Sequence, residues 1–436
     1  MFGAKRILLL ATTTGYQIRM FGDAAGRLGV KLVFATDRCD QLEDPWWDGA
    51  IPVRFHQERS AVEAILEAAR LQPFDGIVAV GDRPTVVAAL VARALELPWH
   101  PPNAARVARD KRQTRKWLRS AGLPTPWFLI ARRSTPVASI APASWPVVVK
   151  PTVLSGSRGV IRANDAIEFR RAFTRVARLL DAPDVRALQD SAADDIVIEQ
   201  FIQGREYALD GIVDDGRLVT LAIFDKPDPL DGPYFEETIY VTPARVAPST
   251  RDAIESTVVR AIQALGLQHG PVHAECRVND RGVYVLEVAA RPIGGLCARA
   301  LQLVNDEAQT IGLEELILRH ALGESPSRWA RSSGAAGVMM IPIPAEGIYR
   351  GVKGVESARA VVGIEDVQIT AKPDQHLVPL PEGASYLGFI FARAVAPDAV
   401  EQALRDAHRR LAFAIDRAIV VNEPPTLSSV SEARVD

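Results

Sequence analysis

The chain has 436 residues, with 51 Lys plus Arg against 53 Asp plus Glu and a formal net charge of −2. Hydrophobic residues are 48 % and charged residues 24 %, a mixture that excludes disorder as the main state and fits a folded globular protein of about two to four domains. A near-zero net charge argues against a general nucleic-acid binder, which carries a basic excess.

The elements alternate from the start. Ile7–Leu10 reads as a buried strand, followed by a Thr/Gly turn over Thr12–Gly15 and a helix through Ala24–Leu28. Val30–Ala35 is the next strand. Ser60 and Glu63 have the spacing of a capping box, opening a helix whose Val62, Ile65, Leu66 and Ala69 share a face. Ile77–Val80 is a third strand. This alternation predicts a doubly wound parallel sheet. Pro98, Pro101 and Pro102 interrupt it, and Asn103 is placed to cap one basic helix running to about Ala121, with Gly122 as its stop.

A second lobe begins near Trp145, with strand Val147–Lys150, a small-residue loop, a helix over Asp165–Leu180 and strand Ile196–Glu199. Two hairpins follow, Glu206–Val213 with Leu218–Phe224, and Val272–Val278 with Val283–Val288. Between them Thr250 is read as the cap of a helix to Leu265. The expected division is 1–102, 103–330, a C-terminal lobe over 331–421, and a mobile tail over 422–436. Cys39, Cys276 and Cys297 make no C-x-x-C pair, and three cysteines fit a reducing cytoplasm. Ile7–Ala11 is too short for a signal-peptide core, and no run of about eighteen apolar residues predicts a membrane span. The seven histidines show no metal spacing.

Four segments carry chemistry. Lys150 ends a Val-Val-Val strand and precedes Ser155-Gly156-Ser157-Arg158-Gly159-Val160, where small residues let backbone N–H groups approach phosphate oxygens. The plain alternative is a flexible turn beside a solvated lysine. Glu275 and Glu287 lie symmetrically about Arg281. With a loop of three or five residues they stand opposite each other, about 5 Å apart on one face, where a hard divalent cation would relieve their repulsion. Arg291-Pro292-Ile293-Gly294-Gly295 offers a guanidinium and backbone amides to a carboxylate or an oxyanion. Glu199-Gln200-Phe201-Ile202, with Glu206 beyond, is a strand running into a hinge.

Taken in order, DKRQTRKWLRSAGLPTP, VVVKPTVLSGSRGV, VIEQFIQGREYALD, PVHAECRV and VYVLEVAARPIGG resemble the ATP-grasp superfamily over about residues 105–305. The resemblance implies an ATP-grasp fold of mixed α/β and α+β class. It implies Lys111 and Lys150 on the α- and β-phosphates, Ser155, Gly156, Ser157, Gly159 and Val160 as the phosphate lid, and Lys226 toward the γ-phosphate. Glu199 would accept from the adenine amino group, the Gln200–Ile202 hinge would read the ring edge through the backbone of Phe201 and Ile202, and Glu206 would hold the ribose. Glu275 and Glu287 would ligate Mg²⁺ or Mn²⁺. Many relatives carry Asn two residues after the second glutamate; here that residue is Ala289. Glu-Val-Ala-Ala-Arg is similar instead to the bacterial L-amino acid ligases. That implies Arg291 at the reaction intermediate, Gly294 and Gly295 beside the substrate, and a small closing lobe around GASYLGFIFARA. The implied activity is an ADP-forming carboxylate–amine ligase acting on small carboxylates and amines, a homodimer by family analogy. A biotin-carboxylase-type enzyme and a non-catalytic ATP-binding module are the alternatives.

Overall fold

The computed structural model describes residues 4–12, 17–37 and 50–417. Thr13–Gly15 of the expected first turn, Cys39 and the expected tail at 422–436 lie outside the described residues. No helix among the described residues is long and apolar enough to cross a membrane.

The N-terminal sheet has four parallel strands in the order Ile51–Pro52, Lys31–Thr36, Arg6–Ala11, Gly76–Val80. Its central strand is covered on both faces, which is why its sequence is a continuous Ile-Leu-Leu-Leu run. Leu8 and Leu10 enter the core under helices Glu58–Leu71 and Thr85–Ala94. Ile7 and Leu9 enter the opposite core with helices Ile18–Leu28 and Leu313–Ala321. The doubly wound expectation holds, and a helix from far down the chain covers one of its faces.

A second sheet is antiparallel, in the order Phe128–Arg132, Asp195–Gln200, Val147–Pro151, Ile161–Ala163. Helix Ala166–Leu180 buries Phe169, Phe173 and Val176 against it. The third sheet has eight antiparallel strands. Gly282–Ala289 is at one edge, followed by Gly270–Asn279, Arg205–Asp214, Arg217–Asp225, Ile239–Thr242, Ala335–Ile341, Gly388–Ala394 and Ile364–Ile369. The sheet is continuous across residue 330, because Ile239–Thr242 bonds directly to Ala335–Ile341.

The glutamate hairpin differs from expectation in an instructive way. Its strands pair down to Asn279 and Gly282, so the loop is the two residues Asp280 and Arg281. Glu275 nevertheless faces Glu287, because Cys276 pairs with Val285 and Leu286 is left unpaired as a bulge.

Helix starts were read less well than helix faces. The helix expected to begin at Ser60 begins at Glu58, so Ser60 sits inside its first turn and caps nothing. The basic helix after Asn103 is two helices, Pro102–Arg109 and Lys111–Ser120, parted by Asp110, whose carboxylate accepts the Arg112 N–H at 2.9 Å. The helix assigned to Thr250 opens at Pro248. Asp165 does cap its helix, accepting the N–H groups of Ile167 and Glu168 at 2.7 and 2.9 Å. Accordingly, Asp165→Ala should cost about 1 kcal/mol, the usual worth of an N-cap, whereas Ser60→Ala should change stability by less than about 0.5 kcal/mol. Thermal or denaturant midpoints of the two variants measured side by side check this contrast.

Candidate active site

The three sheets converge on a cleft of about 800 Å³. It is lined at one end by Val148, Phe201, Ile202, Leu230 and Phe235, and at the other by Arg291, Gly294, Gly295, Met340 and Tyr386. Every residue singled out in the sequence lines it except Gly159 and Lys226.

The polar floor of the apolar end is a buried charge cluster. Glu199, on strand Asp195–Gln200, accepts from Arg115 Nε at 2.7 Å and Nη2 at 3.1 Å, and from Lys150 Nζ at 2.5 Å. Lys150 lies on the neighbouring strand Val147–Pro151. Burial opposes ionisation of Glu199, but the two cations override it and hold the carboxyl at about 2. Burial lowers Lys150 to about 8 against the pull of Glu199. One carboxylate thus serves two cations, which leaves a surplus positive charge beside the Ser155–Val160 loop. Both Glu199 oxygens are already engaged. The hinge backbone is also partly committed: Phe201 N–H donates to Pro146 O at 3.0 Å, and Ile202 C=O accepts from Arg277 Nη1 at 2.8 Å, keeping its second lone pair.

The Ser155–Val160 loop turns back through Gly156, Ser157 and Gly159, all at positive φ. Gly159 is needed for space as well as for its φ of 74°: a Cβ there would come within 2.8 Å of Pro151 and Leu179. It supports the loop from behind rather than facing the cleft. Lys111 opens helix Lys111–Ser120, and its Nζ donates to Leu154 O at 2.9 Å and lies 3.1 Å from Glu287.

Lys226 is buried behind the cleft wall with three carboxylates around it. Its Nζ donates to Glu206 and Glu275 at 2.8 Å and to Glu237 at 2.6 Å. The oxygens of Glu206, Glu237 and Glu275 lie close enough together for a metal, but the ammonium already occupies their common centre. Burial opposes the charge of Lys226, and the carboxylates raise it well above the ordinary lysine range. Glu275 stays ionised, held well below the usual carboxylate range despite burial by Lys226 and His273. Burial with Glu275 alongside raises Glu237 to about 7. Glu206 is also held by Arg277 Nε at 3.0 Å, and His273 contacts Asp210 at 3.2 Å and Glu275 at 3.6 Å.

Arg291 donates from Nε and Nη2 to Asp82 at 2.8 and 3.3 Å, bringing the loop after strand Gly76–Val80 onto the cleft. Asp82 is held low by Arg291 although burial works the other way.

Sequence reasoning missed Arg115, Glu237, Arg277, His273 and Asp82. Arg115 had a signal: it lies four residues after Lys111 and three before Leu118, on the buried face of its helix. The others come together only through sheet register. Folding also gathers Asp214, His269 and His320 away from the cleft. The two imidazoles stack at 4.0 Å and 16°, with His269 Nδ1 and His320 Nε2 at 3.8 and 3.3 Å from the same Asp214 oxygen.

Comparison with known proteins fits this geometry. The ATP-grasp domain model matches residues 143–300, the ATP-grasp N-terminal domain 22–99, and L-amino acid ligase C-terminal domain 2 residues 339–416. The solved L-amino acid ligase from Bacillus licheniformis is 27 % identical, with a TM-score of 0.79 over 95 % of this chain and 99 % of that one. Uncharacterized protein y4rH of Sinorhizobium fredii is 26 % identical over 74 % of this chain and 65 % of its own length. Alanine–anticapsin ligase of Bacillus subtilis is 28 % identical over 54 % of this chain and 52 % of its own. The matched region thus spans between half and two thirds of these two curated relatives. The chain belongs to the ATP-grasp superfamily. Within it, the chain carries the C-terminal domain of the L-amino acid ligases.

Removing the shared carboxylate should be costly. Glu199→Gln would strand two buried cations and should destabilise the protein by roughly 3–5 kcal/mol. The Glu199 carboxyl falls from 4.5 to about 2 on folding, so its contribution is complete above pH 4.5 and is lost as pH drops toward 2. Urea midpoints between pH 3 and 7 should therefore fall with acid more steeply in the parent than in Glu199→Gln.

Proposed function

We propose that the protein is an ATP-dependent carboxylate–amine ligase that forms an acylphosphate and then an amide, joining an amino acid to a second amino acid or amine and releasing ADP and phosphate. The observation that carries this reading is one cleft with paired carboxylates at its centre, excess lysine charge toward the phosphate loop, and an arginine at the opposite end. The domain bounds given above are part of the proposal, as are the roles of the individual residues.

Glu275 and Glu287, opposed on paired strands, give an all-oxygen donor set that suits Mg²⁺ or Mn²⁺. Such an ion supplies charge screening between a substrate carboxylate and the γ-phosphate. With Ala289 in place of a further donor, the protein ligands are these two carboxylates. The apolar end takes the adenine between Val148, Phe201, Leu230 and Phe235. Lys150 meets phosphate oxygens with the surplus charge that Glu199 leaves uncancelled, while Glu199 holds Lys150 and Arg115 in place and keeps a lone pair on Oε2 for the adenine amino group. Lys111 exchanges Glu287 for a phosphate, which releases the Glu287 carboxylate. Lys226 orders Glu206 and Glu275 from behind, and no contact of its own with phosphate is required.

At the far end, a substrate carboxylate oxygen attacks the γ-phosphorus and ADP leaves. The amine nitrogen then attacks the acyl carbon, the bond to phosphate breaks, and the nitrogen gives up a proton. Arg291 faces the oxygen that gains charge in this second step, with Asp82 fixing the guanidinium plane. The Gly294-Gly295 backbone adds small, accessible amides beside it.

Incubation with ATP, Mg²⁺ and paired amino acids should give ADP, phosphate and amide in equal amounts; AMP with pyrophosphate would refute the acylphosphate route. ADP formation that needs bicarbonate instead of an amine would favour the biotin-carboxylase-type chemistry. Arg291→Met should lower kcat by about two to three orders of magnitude, the usual cost of losing one oxyanion donor, while leaving the KM for ATP within about two-fold. Glu275→Gln and Glu287→Gln should each remove metal-dependent turnover. Steady-state kinetics with varied ATP and Mg²⁺ check all three variants.

A further inference from the structure

The phosphate loop is fastened to the C-terminal part of the chain. Gly159 N–H donates to Pro381 O at 2.8 Å, and Arg158 Nε donates to Glu382 O at 2.7 Å. The Glu382 carboxylate reaches helix Ala166–Leu180, where Arg175 holds both of its oxygens, Nε to Oε1 at 2.5 Å and Nη2 to Oε2 at 2.7 Å. This two-pronged pairing fixes orientation as well as distance.

The segment that makes these contacts is short and tightly turned. Gly383 N–H returns to Pro379 O at 2.9 Å, and a Cβ at Gly383 would lie 1.7 Å from Val378 O. Displacing one end therefore displaces the other. One and three residues further along, Ala384 and Tyr386 stand in the cleft at its acyl end. The Tyr386 hydroxyl is held in its neutral form, by burial first and then by the neighbouring Glu237 and Cys297. One strap of chain thus touches the phosphate loop on one side and the acyl end on the other.

We propose that segment 379–386 is a positioning element for the ligase reaction and Glu382 its positioning residue: it makes closure of the phosphate loop over ATP and closure of the acyl end against water a single event. This rests on the carboxylate–amine ligase reading above. Its chemical consequence is specific. In the productive step the amine nitrogen bonds to the acyl carbon, the carbon–oxygen bond to phosphate breaks, and a proton leaves the nitrogen. Water in place of the amine breaks the same bond and returns the free acid with phosphate, consuming ATP without making amide. A loose strap admits that water.

The test compares the parent with Glu382→Gln and with the exchanged pair Arg175→Glu/Glu382→Arg. Both partners are 39 % exposed, so the variants should fold, and the pair should be worth about a two- to five-fold effect. In the parent, ADP and amide should form one to one. In Glu382→Gln the ADP-to-amide ratio should rise about two- to five-fold and the KM for ATP by a similar factor, and the exchanged pair should bring both back toward the parent. A Glu382→Gln enzyme with the parent's ratio and KM would overturn the proposal.

Hydrogen exchange with a non-hydrolysable ATP analogue separates failure of the strap from failure of the reaction assignment. The analogue should protect 155–160 and 379–386 together in the parent, and 155–160 alone in Glu382→Gln. Protection confined to 155–160 in the parent overturns the coupling whatever the reaction is. Joint protection in a protein that joins no amine would keep the coupling and overturn the ligase reading.

Discussion

Charge removed from water has to meet opposite charge nearby, and the cleft is organised around that requirement. Arg115 and Lys150 meet on Glu199, three carboxylates meet on Lys226, and Arg277 closes on Glu206. Except for Lys226 and Glu237, which lie in the loop between two strands, the partners are far apart in sequence and come from different strands or helices, so the elements must be in register before the charges balance. Such pairs add little net stability over apolar packing, because desolvation offsets most of the attraction. They determine which charged groups face each part of the cleft: Lys150 beside the Ser155–Val160 loop, carboxylates at the glutamate hairpin, and Arg291, paired with Asp82, beyond them. On the ligase reading this is the order in which phosphates, cation and carboxylate lie along the substrates.

Two contacts carry the arrangement from one part of the chain to another. Arg291 on Asp82 ties the end of the glutamate hairpin to the N-terminal parallel sheet. Lys111 on Glu287 ties the linker helix to the same hairpin. Lys111 and Glu287 are both partly exposed, so their attraction is screened and the partners can be exchanged at small cost. Lys226 and Glu199 are enclosed and form the fixed frame. The cleft therefore has a rigid charged floor and an exchangeable rim, which a site needs if it is to bind a polyanion and later release it.

The fold was legible where pattern and period suffice. The Ile7–Leu10 run, the alternation through Val80 and the two hairpins follow from hydrophobic spacing, and the structure reproduces them within a residue or two. Helix starts were less legible, because a capping residue is one of several polar residues near a terminus and tertiary packing chooses among them: Ser60 and Thr250 had the right chemistry two residues inside the true start. The continuity of the eight-stranded sheet past residue 330 could not be read, since pairing of Ile239–Thr242 with Ala335–Ile341 is a long-range choice. The same limit hid the partners of the site residues. Glu199 and Lys226 were found as residues, but the cations and carboxylates that fix their behaviour come from positions up to 84 residues away, as with Arg115 and Glu199.

The hairpin shows how a local irregularity can be the functional feature. A two-residue loop over Asp280 and Arg281, continued in regular register, would set Glu275 opposite Leu286 and turn Glu287 to the other face of the sheet, because side chains alternate with a period of two. Two carboxylates equidistant from Arg281 would then never meet. The unpaired Leu286 shifts the register by one residue, brings Glu287 opposite Glu275, and leaves the four pairs below it undisturbed. It also resets the face on which every later residue of the strand emerges, so the path from Glu287 through Ala289 to Arg291 is fixed by the same bulge. Symmetry in sequence suggested the pairing of the glutamates; the bulge at Leu286 is what makes it physically possible, and it places the arginine on the same cleft.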